Sequence, residues 1–257
     1  MTMFVFILLA LAIGIVESRW HPHQHMSWND VIGENHINTG IHGDVYVIDL
    51  FSPAHQSLIP SLHSKGKRVV CYFSAGTFEN WRPDKDDFPP DALGNKMLHW
   101  ENEWWVDIRD TRIRNIMAKR IALAKRHGCD GVDPDNVDGF TNSNNGLGLT
   151  AANQLDFNRF LATEAHSHDL AIGLKNDLKQ IHDLIHYFDF AINESCEVYH
   201  ECHYYQPFFD ARKPVFHIEY VGSTTEAHSH RSTICSNRPA DMNTIIKVQL
   251  TNFKVAC

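Results

Sequence analysis

The chain has 257 residues, and 43% of them are hydrophobic, which is enough for a sizeable core in one large domain or two small ones. Charged residues make up 21%, and no low-complexity run stands out, which argues against extensive disorder. The formal net charge of −8 disfavours nucleic acid as the main partner, because binding to phosphates requires clustered positive charge. An acidic chain suits a neutral or cationic substrate.

The N-terminal segment predicts a secretory signal peptide. An apolar run extends from Met3 to Val16, and Val16 and Ser18 stand at the −3 and −1 positions of a cleavage site. A buried strand or an anchor is the alternative, but a run of about 14 residues is short for a membrane span. We therefore predict a signal peptide over residues 1–18 and a secreted, extracellular domain over residues 19–257. We expect this domain to be a monomer that does not associate with membranes after cleavage.

Six cysteines suit an oxidising, extracellular compartment. Cys196 and Cys202 enclose a loop-sized segment in CEVYHEC, and we predict that they form a disulfide. A zinc site is disfavoured because the sequence has no C-x-x-C pair. The remaining cysteines allow three pairings, among Cys71, Cys129, Cys235 and Cys257.

Eight β-rich runs follow in chain order, and they are largely continuous in apolar residues rather than alternating. This pattern is typical of parallel strands that are covered on both faces. The runs are DVYVIDLF (44–51), RVVCYFS (68–74), WWVDI (104–108), GVDPDN (131–136), AIGLKN (171–176), FAINES (190–195), PVFHIEY (214–220) and IIKVQL (245–250).

Helical patterns separate several of these runs. Asp110 is a candidate N-cap for a helix that ends near Gly128, and Thr150 is a candidate N-cap for the next helix. A shorter helix ends near Gly66. Strands that alternate with helices in this way predict an α/β fold, a single-domain (β/α)8 TIM barrel. An open doubly wound sheet of the dinucleotide-binding kind is disfavoured, because no G-x-G-x-x-G follows the first run.

Polar or ionisable residues end each of the first seven runs. The carboxyl ends of barrel strands meet on one face, and that face carries the active site. For a single residue, such as Asp49 or Asp107, capping a helix or fixing a loop is an equal alternative. As a set they predict a substrate site, and they are Asp49, Ser74, Asp107, Asp133, Asp135, Asn136, Lys175, Asn176, Asn193, Glu194, Glu219 and Tyr220.

Three functions are compatible with this acidic rim. A metal-dependent hydrolase is disfavoured because transition metals favour histidine ligands at strand ends, and only His217 lies within a strand. We therefore predict no metal and no cofactor. A glycoside hydrolase needs two carboxyl groups across a cleft, and Asp135 and Glu194 are suitably placed at the ends of different strands. Lys175, between them in strand order, would keep one carboxylate ionised. The third function is a carbohydrate-binding barrel without catalysis.

Several motifs resemble those of family 114 of the glycoside hydrolases, which are secreted endo-α-1,4-polygalactosaminidases with a TIM-barrel fold. The resemblance implies retaining cleavage of α-1,4-linked galactosamine polymers without a metal. It also implies that Asp135 is the nucleophile and that Glu194 is the acid/base residue. The motifs run in order from about Asp44 to Tyr220 and read VYVIDLF, CYFSAGTFENWRPD, GCDGVDPDNVDGF, LTAANQLDFNRFLATEAH, IGLKND, NESCEVYHEC and VFHIEY.

The chain departs from the family pattern in two places. The family usually has Glu where this chain has Asp133, and its N-terminal Trp-Gln-Trp-Gln segment is not evident; we expect SWNDVIG, with Trp28, to replace it. Galactosamine units are cations below their amine pKa, so an acidic cleft attracts such a polymer. A glycosidase of different glycan specificity is the alternative within this class. The predicted substrate-binding residues are Asp49, Tyr72, Asp133, Asn136, Asp138, Lys175, Asn176, Glu219 and Tyr220.

Overall fold

The computed structural model describes residues 19–33, 37, 39–249, 251 and 253–257. The predicted signal peptide, residues 1–18, lies outside the described residues. The strands are β1 (Trp28–Asp30), β2 (Val45–Asp49), β3 (Arg68–Ser74), β4 (Thr77–Glu79), β5 (Leu93–Lys96), β6 (Glu103–Val106), β7 (Gly131–Asp135), β8 (Ala171–Lys175), β9 (Phe190–Glu194), β10 (Val215–Val221), β11 (Met242–Val248) and β12 (Lys254–Ala256). The helices are α1 (His55–His63), α2 (Thr111–His127), α3 (Ala151–Ser167), α4 (Ile181–Leu184), α5 (Gln206–Asp210) and α6 (Thr224–Asn237).

The described strands form the predicted parallel barrel. The order in the main sheet is β1-β2-β3-β7-β8-β9-β10-β11, and each of these neighbours pairs in parallel, while β12 adds to β11 in the antiparallel direction. Side chains close the barrel between β1 and β11. Trp28 Nε1 donates to the carbonyl of Asn243 at 2.8 Å, and Lys247 Nζ donates to the carbonyl of Asp30. The carboxyl ends of the strands therefore meet on one face.

The structure corrects one strand of the sequence prediction. The run WWVDI was expected to be the third barrel strand, but β6 is the middle strand of a separate antiparallel sheet in the order β4-β6-β5. This inserted sheet lies between β3 and α2 in the chain. The apolar pattern of β6 resembles that of a barrel strand because Trp105 and Val106 are buried. The eighth barrel strand is instead β1, whose three residues are too few to show a periodic pattern.

The two long helices begin at the predicted N-caps. The carboxylate of Asp110 accepts from Arg112 N at 2.7 Å, and Thr150 forms a capping box with Asn153. The helix α2 ends at Gly128, whose φ of 87° is in the left-handed region that glycine adopts without steric cost. The strand β7, which carries Asp135, begins three residues after Gly128.

All six cysteines are paired. The predicted bridge between Cys196 and Cys202 is present, with a Cα–Cα distance of 4.9 Å. The other bridges join Cys71 to Cys129 and Cys235 to Cys257, with Cα–Cα distances of 6.0 and 5.4 Å. Three disulfides suit the oxidising compartment that the sequence predicts. Within the described ranges, no helix combines the length and the apolar character that a membrane span requires.

Candidate active site

The carboxyl ends of the barrel strands surround a cavity of about 600 Å³. The two predicted catalytic residues and six of the nine predicted substrate-binding residues line it. These eight residues are Asp49, Tyr72, Asp135, Asn136, Asp138, Asn176, Glu194 and Tyr220. The barrel thus brings together side chains from strands that are far apart in sequence, as the strand-end pattern predicts.

Asp135 is the last residue of β7, and its carboxylate is held by donors on both oxygens. The Tyr72 hydroxyl donates to Oδ2 at 3.0 Å, and the backbone N–H of Asn136 donates to Oδ1 at 2.8 Å. The Asn136 amide donates in turn to Ser74 Oγ at 2.9 Å. These contacts fix the orientation of the carboxylate, and about a fifth of the Asp135 side chain remains exposed to the cavity.

Glu194 is the last residue of β9 and is about 30% exposed. The Tyr220 hydroxyl donates to Oε1 at 2.9 Å, and the Glu194 backbone N–H donates to Asn176 Oδ1 at 3.1 Å. Partial burial raises the pKa of the Glu194 carboxyl, and the nearby charge of Asp135 adds to this effect, while Lys175 opposes it. A carboxyl group with a raised pKa is suited to carry a proton at the pH of the reaction.

Lys175 lies beneath the two carboxyl groups and is only 2% exposed. Its Nζ lies 3.6 Å from Asp135 Oδ1, 3.8 Å from Glu194 Oε1 and 3.7 Å from Asp133 Oδ2. Burial acts to lower the pKa of Lys175, but the three carboxylates outweigh it and hold the pKa well above its usual range. The site therefore contains a permanent buried cation that the acids share.

This shared contact limits the separation of the two predicted catalytic groups. Because Asp135 Oδ1 and Glu194 Oε1 contact the same nitrogen, these oxygens lie within about 7.4 Å of each other, a limit inside the range of roughly 5 to 9.5 Å for glycosidase carboxyl pairs. This upper limit is compatible with the separation of roughly 5 to 5.5 Å in retaining enzymes and with the shorter part of the inverting range.

Three residues that directly follow strand ends have a left-handed backbone. Asn136, Asn176 and Ser195 have φ values of 60°, 50° and 62°. Each follows a residue of the charged cluster: Asp135, Lys175 or Glu194. Asparagine tolerates this region better than most residues with a side chain, but the conformation still costs free energy. The chain turns sharply after each charged residue, and Asp135 and Glu194 line the cavity at this end of the barrel while the Lys175 side chain lies below them.

Three predicted substrate-binding residues do not line the cavity. Lys175 lies below the cavity, beneath Asp135 and Glu194. Asp133 is 1% exposed and lies on the same side of β7 as Asp135, two residues earlier, and therefore one layer deeper in the barrel. Burial raises the pKa of Asp133 to about 7, although Lys175 opposes this effect. The sequence pattern located the strand end but not the depth of each side chain.

Glu219 is the third of these residues, and it supports a loop instead. It is 2% exposed, and its Oε1 accepts from His217 Nε2 at 2.9 Å and from the backbone N–H of Glu197 at 2.7 Å. The opposite ring nitrogen of His217 contacts Thr244 Oγ1 at 2.9 Å. Glu219 therefore ties β10 to the segment that follows Glu194 rather than facing the substrate.

The inserted sheet supplies cavity residues that the sequence analysis missed. Arg82 donates to Glu79 Oε2 and to Asp49 Oδ2, each at 2.7 Å, so one guanidinium joins the insert to β2. Burial raises the pKa of Glu103 to about 7, and the charge of Glu79 adds to this effect. Trp and Glu residues are concentrated between residues 79 and 105, but the sequence analysis used only the run WWVDI (104–108), which it interpreted as a barrel strand. The missed lining residues include Glu79, Arg82, Trp100 and Glu103, together with Asp30 of β1.

A second cavity of about 330 Å³ adjoins the first. The two share Asp138, Thr141, Asn176 and Glu194 in their walls. Burial raises the pKa of Asp138 to about 6, and the charge of Asp135 contributes. Glu194 therefore stands where two cavities meet, and space for a ligand continues on both sides of it.

Within the described residues, one group has the spacing of metal ligands. It comprises the sulfurs of Cys196 and Cys202 and the imidazole of His217. Both sulfurs are joined in a disulfide, and only a thiolate binds metal strongly. His217 is in addition engaged by Glu219 and Thr244. This group therefore forms part of the fold rather than a metal site.

The buried carboxyl group of Asp177 should make the folding stability of the protein depend on pH. It is 2% exposed, and burial together with the charge of Asp138 raises its pKa to about 9, although Asn158 donates to it at 2.8 Å. The unfolded chain releases this proton near pH 3.8, so between pH 3.8 and about 9 the folded state binds more protons and its stability falls as pH rises. The neutral variant Asp177→Asn lacks this loss.

We therefore compare the melting temperature of Asp177→Asn with that of the unsubstituted protein. We expect the difference, variant minus unsubstituted, to increase as the pH is raised from 5 to 9. The expected gain is at least about 2–4 °C, which corresponds to roughly 1 kcal/mol in a chain of this size. Thermal melts monitored by circular dichroism measure it. A difference in melting temperature that stays constant with pH would contradict the raised pKa of Asp177.

Comparison with known proteins gives a family and a fold. The sequence pattern of glycoside-hydrolase family GH114 matches residues 14–257. The crystal structure of Aspergillus fumigatus Ega3 in complex with galactosamine is 39% identical in sequence, with a TM-score of 0.87 over 93% of this chain and 98% of that chain. The glycoside hydrolase domain of PelA from Pseudomonas aeruginosa shares the fold at 13% identity, with a TM-score of 0.70 over 90% of this chain and 97% of that chain. No curated protein matches the chain in sequence.

Proposed function

The chain belongs to glycoside-hydrolase family GH114, and on this premise we propose that it is a secreted endo-acting enzyme that cleaves α-1,4-linked galactosamine polymers with retention of configuration. In this proposal Asp135 is the nucleophile and Glu194 is the acid/base residue. The observation that carries the proposal is the convergence of both carboxyl groups on Lys175 Nζ, at 3.6 and 3.8 Å, in the wall of the strand-end cavity.

The first half of the reaction breaks the glycosidic bond. Asp135 attacks the anomeric carbon, and Glu194 gives its proton to the departing glycosidic oxygen, which leaves a glycosyl ester on Asp135. The hydrogen bonds from Tyr72 and from the Asn136 backbone hold the attacking carboxylate in place. The raised pKa of Glu194 supports its role as the proton donor.

The second half hydrolyses the ester. Glu194, now ionised, takes a proton from water as the water oxygen attacks the anomeric carbon and the bond to Asp135 breaks. Lys175 stays charged throughout, so it stabilises whichever of the two carboxylates is ionised at each stage. Tyr220 donates to Glu194 at 2.9 Å and keeps it oriented while it changes from acid to base.

The charge of the cavity supports an aminosugar substrate. The basic lining residues are Arg82 and Lys247; Arg82 is paired with acids, and Lys247 donates to a backbone carbonyl. An excess of carboxylates remains, which attracts ammonium groups. Ega3, the similar fungal protein, was crystallised with galactosamine. The acidic lining residues are Asp30, Asp49, Glu79, Glu103, Asp135, Asp138 and Glu194.

The shape of the site supports cleavage inside a chain rather than at its end. The second cavity extends the space beyond Glu194, so a polymer can occupy both sides of the scissile bond. A site for removing terminal sugars requires instead a wall on one side of the catalytic pair. The three disulfides and the predicted signal peptide support secretion, which gives the enzyme access to an extracellular polymer.

Incubation with polygalactosamine and measurement of new reducing ends tests the proposal. We expect reducing ends to appear together with products of intermediate length, and we expect EDTA to leave the rate unchanged. The fully N-acetylated polymer, whose units lack the ammonium charge, is the matched control, and its cleavage should be much slower. Binding of the polymer without any new reducing ends would establish a carbohydrate-binding barrel in place of the enzyme.

A further inference from the structure

A disulfide-closed loop after β9 presents exposed aromatic rings beside the second cavity. We define the disulfide loop as residues 196–204. Tyr199 is 67% exposed and Tyr204 is 45% exposed, although both line this cavity. Large aromatic rings held out in solvent beside a cavity are typical of binding surfaces, because a ligand that covers them removes apolar surface from water.

The disulfide loop is held rigidly. The bridge between Cys196 and Cys202 closes residues 196–202, and Tyr204 follows it by two residues in a short 3₁₀ helix. Glu201 N donates to the carbonyl of Cys196 at 2.8 Å across the same gap. Glu219 accepts from Glu197 N at 2.7 Å, which anchors the start of the loop to β10. A ligand that binds a loop already held in place loses little free energy in ordering it.

The chemistry of the second cavity matches that of the main one. Glu201 and Asp138 line it, and Glu194 and Asn176 belong to both cavities. Lys179 is the basic residue among its lining side chains. A wall that combines carboxylates with flat aromatic rings suits a cationic sugar, whose ring face stacks on an aromatic side chain while its ammonium group pairs with an acid.

We propose that the second cavity is a distal polymer-binding subsite, in which Tyr199 and Tyr204 stack on aminosugar rings and Asp138 and Glu201 hold their ammonium groups. This inference rests on the proposed function, because it is the substrate chain extending past Glu194 that enters the second cavity. The subsite increases the affinity for long chains over short ones. The disulfide loop is thus part of the substrate-binding surface as well as of the fold.

The test compares long and short substrates in tyrosine variants. The variants are Tyr199→Ala, Tyr204→Ala and the double variant, and the readout is the ratio of kcat/KM on polygalactosamine to kcat/KM on a galactosamine trimer. We expect this ratio to fall about 2- to 10-fold for each ring removed, chiefly through KM on the polymer. The phenylalanine variants Tyr199→Phe and Tyr204→Phe keep the rings and should keep most of the ratio.

Tyr187→Ala is the matched control, since Tyr187 is also an exposed tyrosine, at 37%, but lines neither of the two cavities. It should retain the ratio of the unsubstituted protein. An unchanged ratio in the double alanine variant, with its fold intact by circular dichroism, overturns the subsite and leaves the proposed function standing.

Binding separates failure of the subsite from failure of the proposed function. If the unsubstituted protein cleaves neither substrate, the proposed function fails. The subsite is then tested by calorimetry on the unsubstituted protein and on the tyrosine variants, with polygalactosamine fragments as the ligand. We expect the affinity to fall about 2- to 10-fold for each tyrosine replaced by alanine. Equal affinities with and without the two tyrosines overturn the inference.

Discussion

Asp135→Asn and Glu194→Gln are each expected to nearly abolish cleavage of polygalactosamine while the polymer still binds. A loss of about 10²- to 10⁴-fold is usual for removing an acid/base group alone, and loss of the nucleophile costs at least as much. Both replacements preserve the shape of the side chain and its ability to accept from Tyr72 or Tyr220. The fold should therefore remain, and the lost activity reports on chemistry.

The two variants also separate the roles of the two residues. A substrate with a good leaving group does not need a proton donor, so it should restore much of the rate of bond breaking in Glu194→Gln but not in Asp135→Asn. Asp133→Asn is the buried control on the same strand, and its loss should be milder. Near-normal rates in both main variants would refute the mechanism, and complete loss in a folded Asp133→Asn would contradict the placement of Asp133 below the cavity.

Replacing Lys175 has the second largest expected effect, because it removes a buried cation from among three carboxyl groups. Lys175→Met replaces the stem of the side chain up to Cε but removes Nζ, so it leaves Asp133, Asp135 and Glu194 without their shared partner. Breaking a buried ion pair from one side usually costs about 3–5 kcal/mol. We expect a loss of stability of this size in denaturant titrations, and cleavage too slow to detect.

The double variant Lys175→Met with Asp133→Asn distinguishes structure from catalysis. Asp133 is the deepest of the three acids, so neutralising it should recover part of the stability lost in Lys175→Met. Cleavage should remain absent, since Asp135 and Glu194 still lack the cation. If Lys175→Met keeps both its stability and its activity, the buried cation is not central to the site.

Much of the barrel could be predicted because its strands and caps leave local signals. The continuous apolar runs around Val47, Val70 and Ile172 belong to strands covered on both faces, and Asp110 and Thr150 begin helices through hydrogen bonds within one turn. The strand β1 could not be predicted, because three residues show no period. The run around Trp105 was misassigned because an inserted strand that packs on the core has the same apolar pattern as a barrel strand.

The candidate site was predicted in part for a similar reason. The sequence indicates that Asp135 and Glu194 end strands, and the fold then brings strand ends together. It does not indicate how deep a side chain lies, so Asp133 and Glu219 were expected at the surface of the cavity, from which the structure excludes them. Contacts from inserted segments, such as that of Glu103, depend on tertiary packing and leave no local signal.

The anomeric form of the first product tests the retaining mechanism most directly. Proton NMR during cleavage of α-1,4-linked polygalactosamine shows which anomer of the new reducing end appears before mutarotation mixes the two. We expect the α-anomer to appear first, because displacement by Asp135 and then by water inverts the centre twice. First appearance of the β-anomer would contradict the account, since it requires direct attack by water and leaves Asp135 no role as nucleophile.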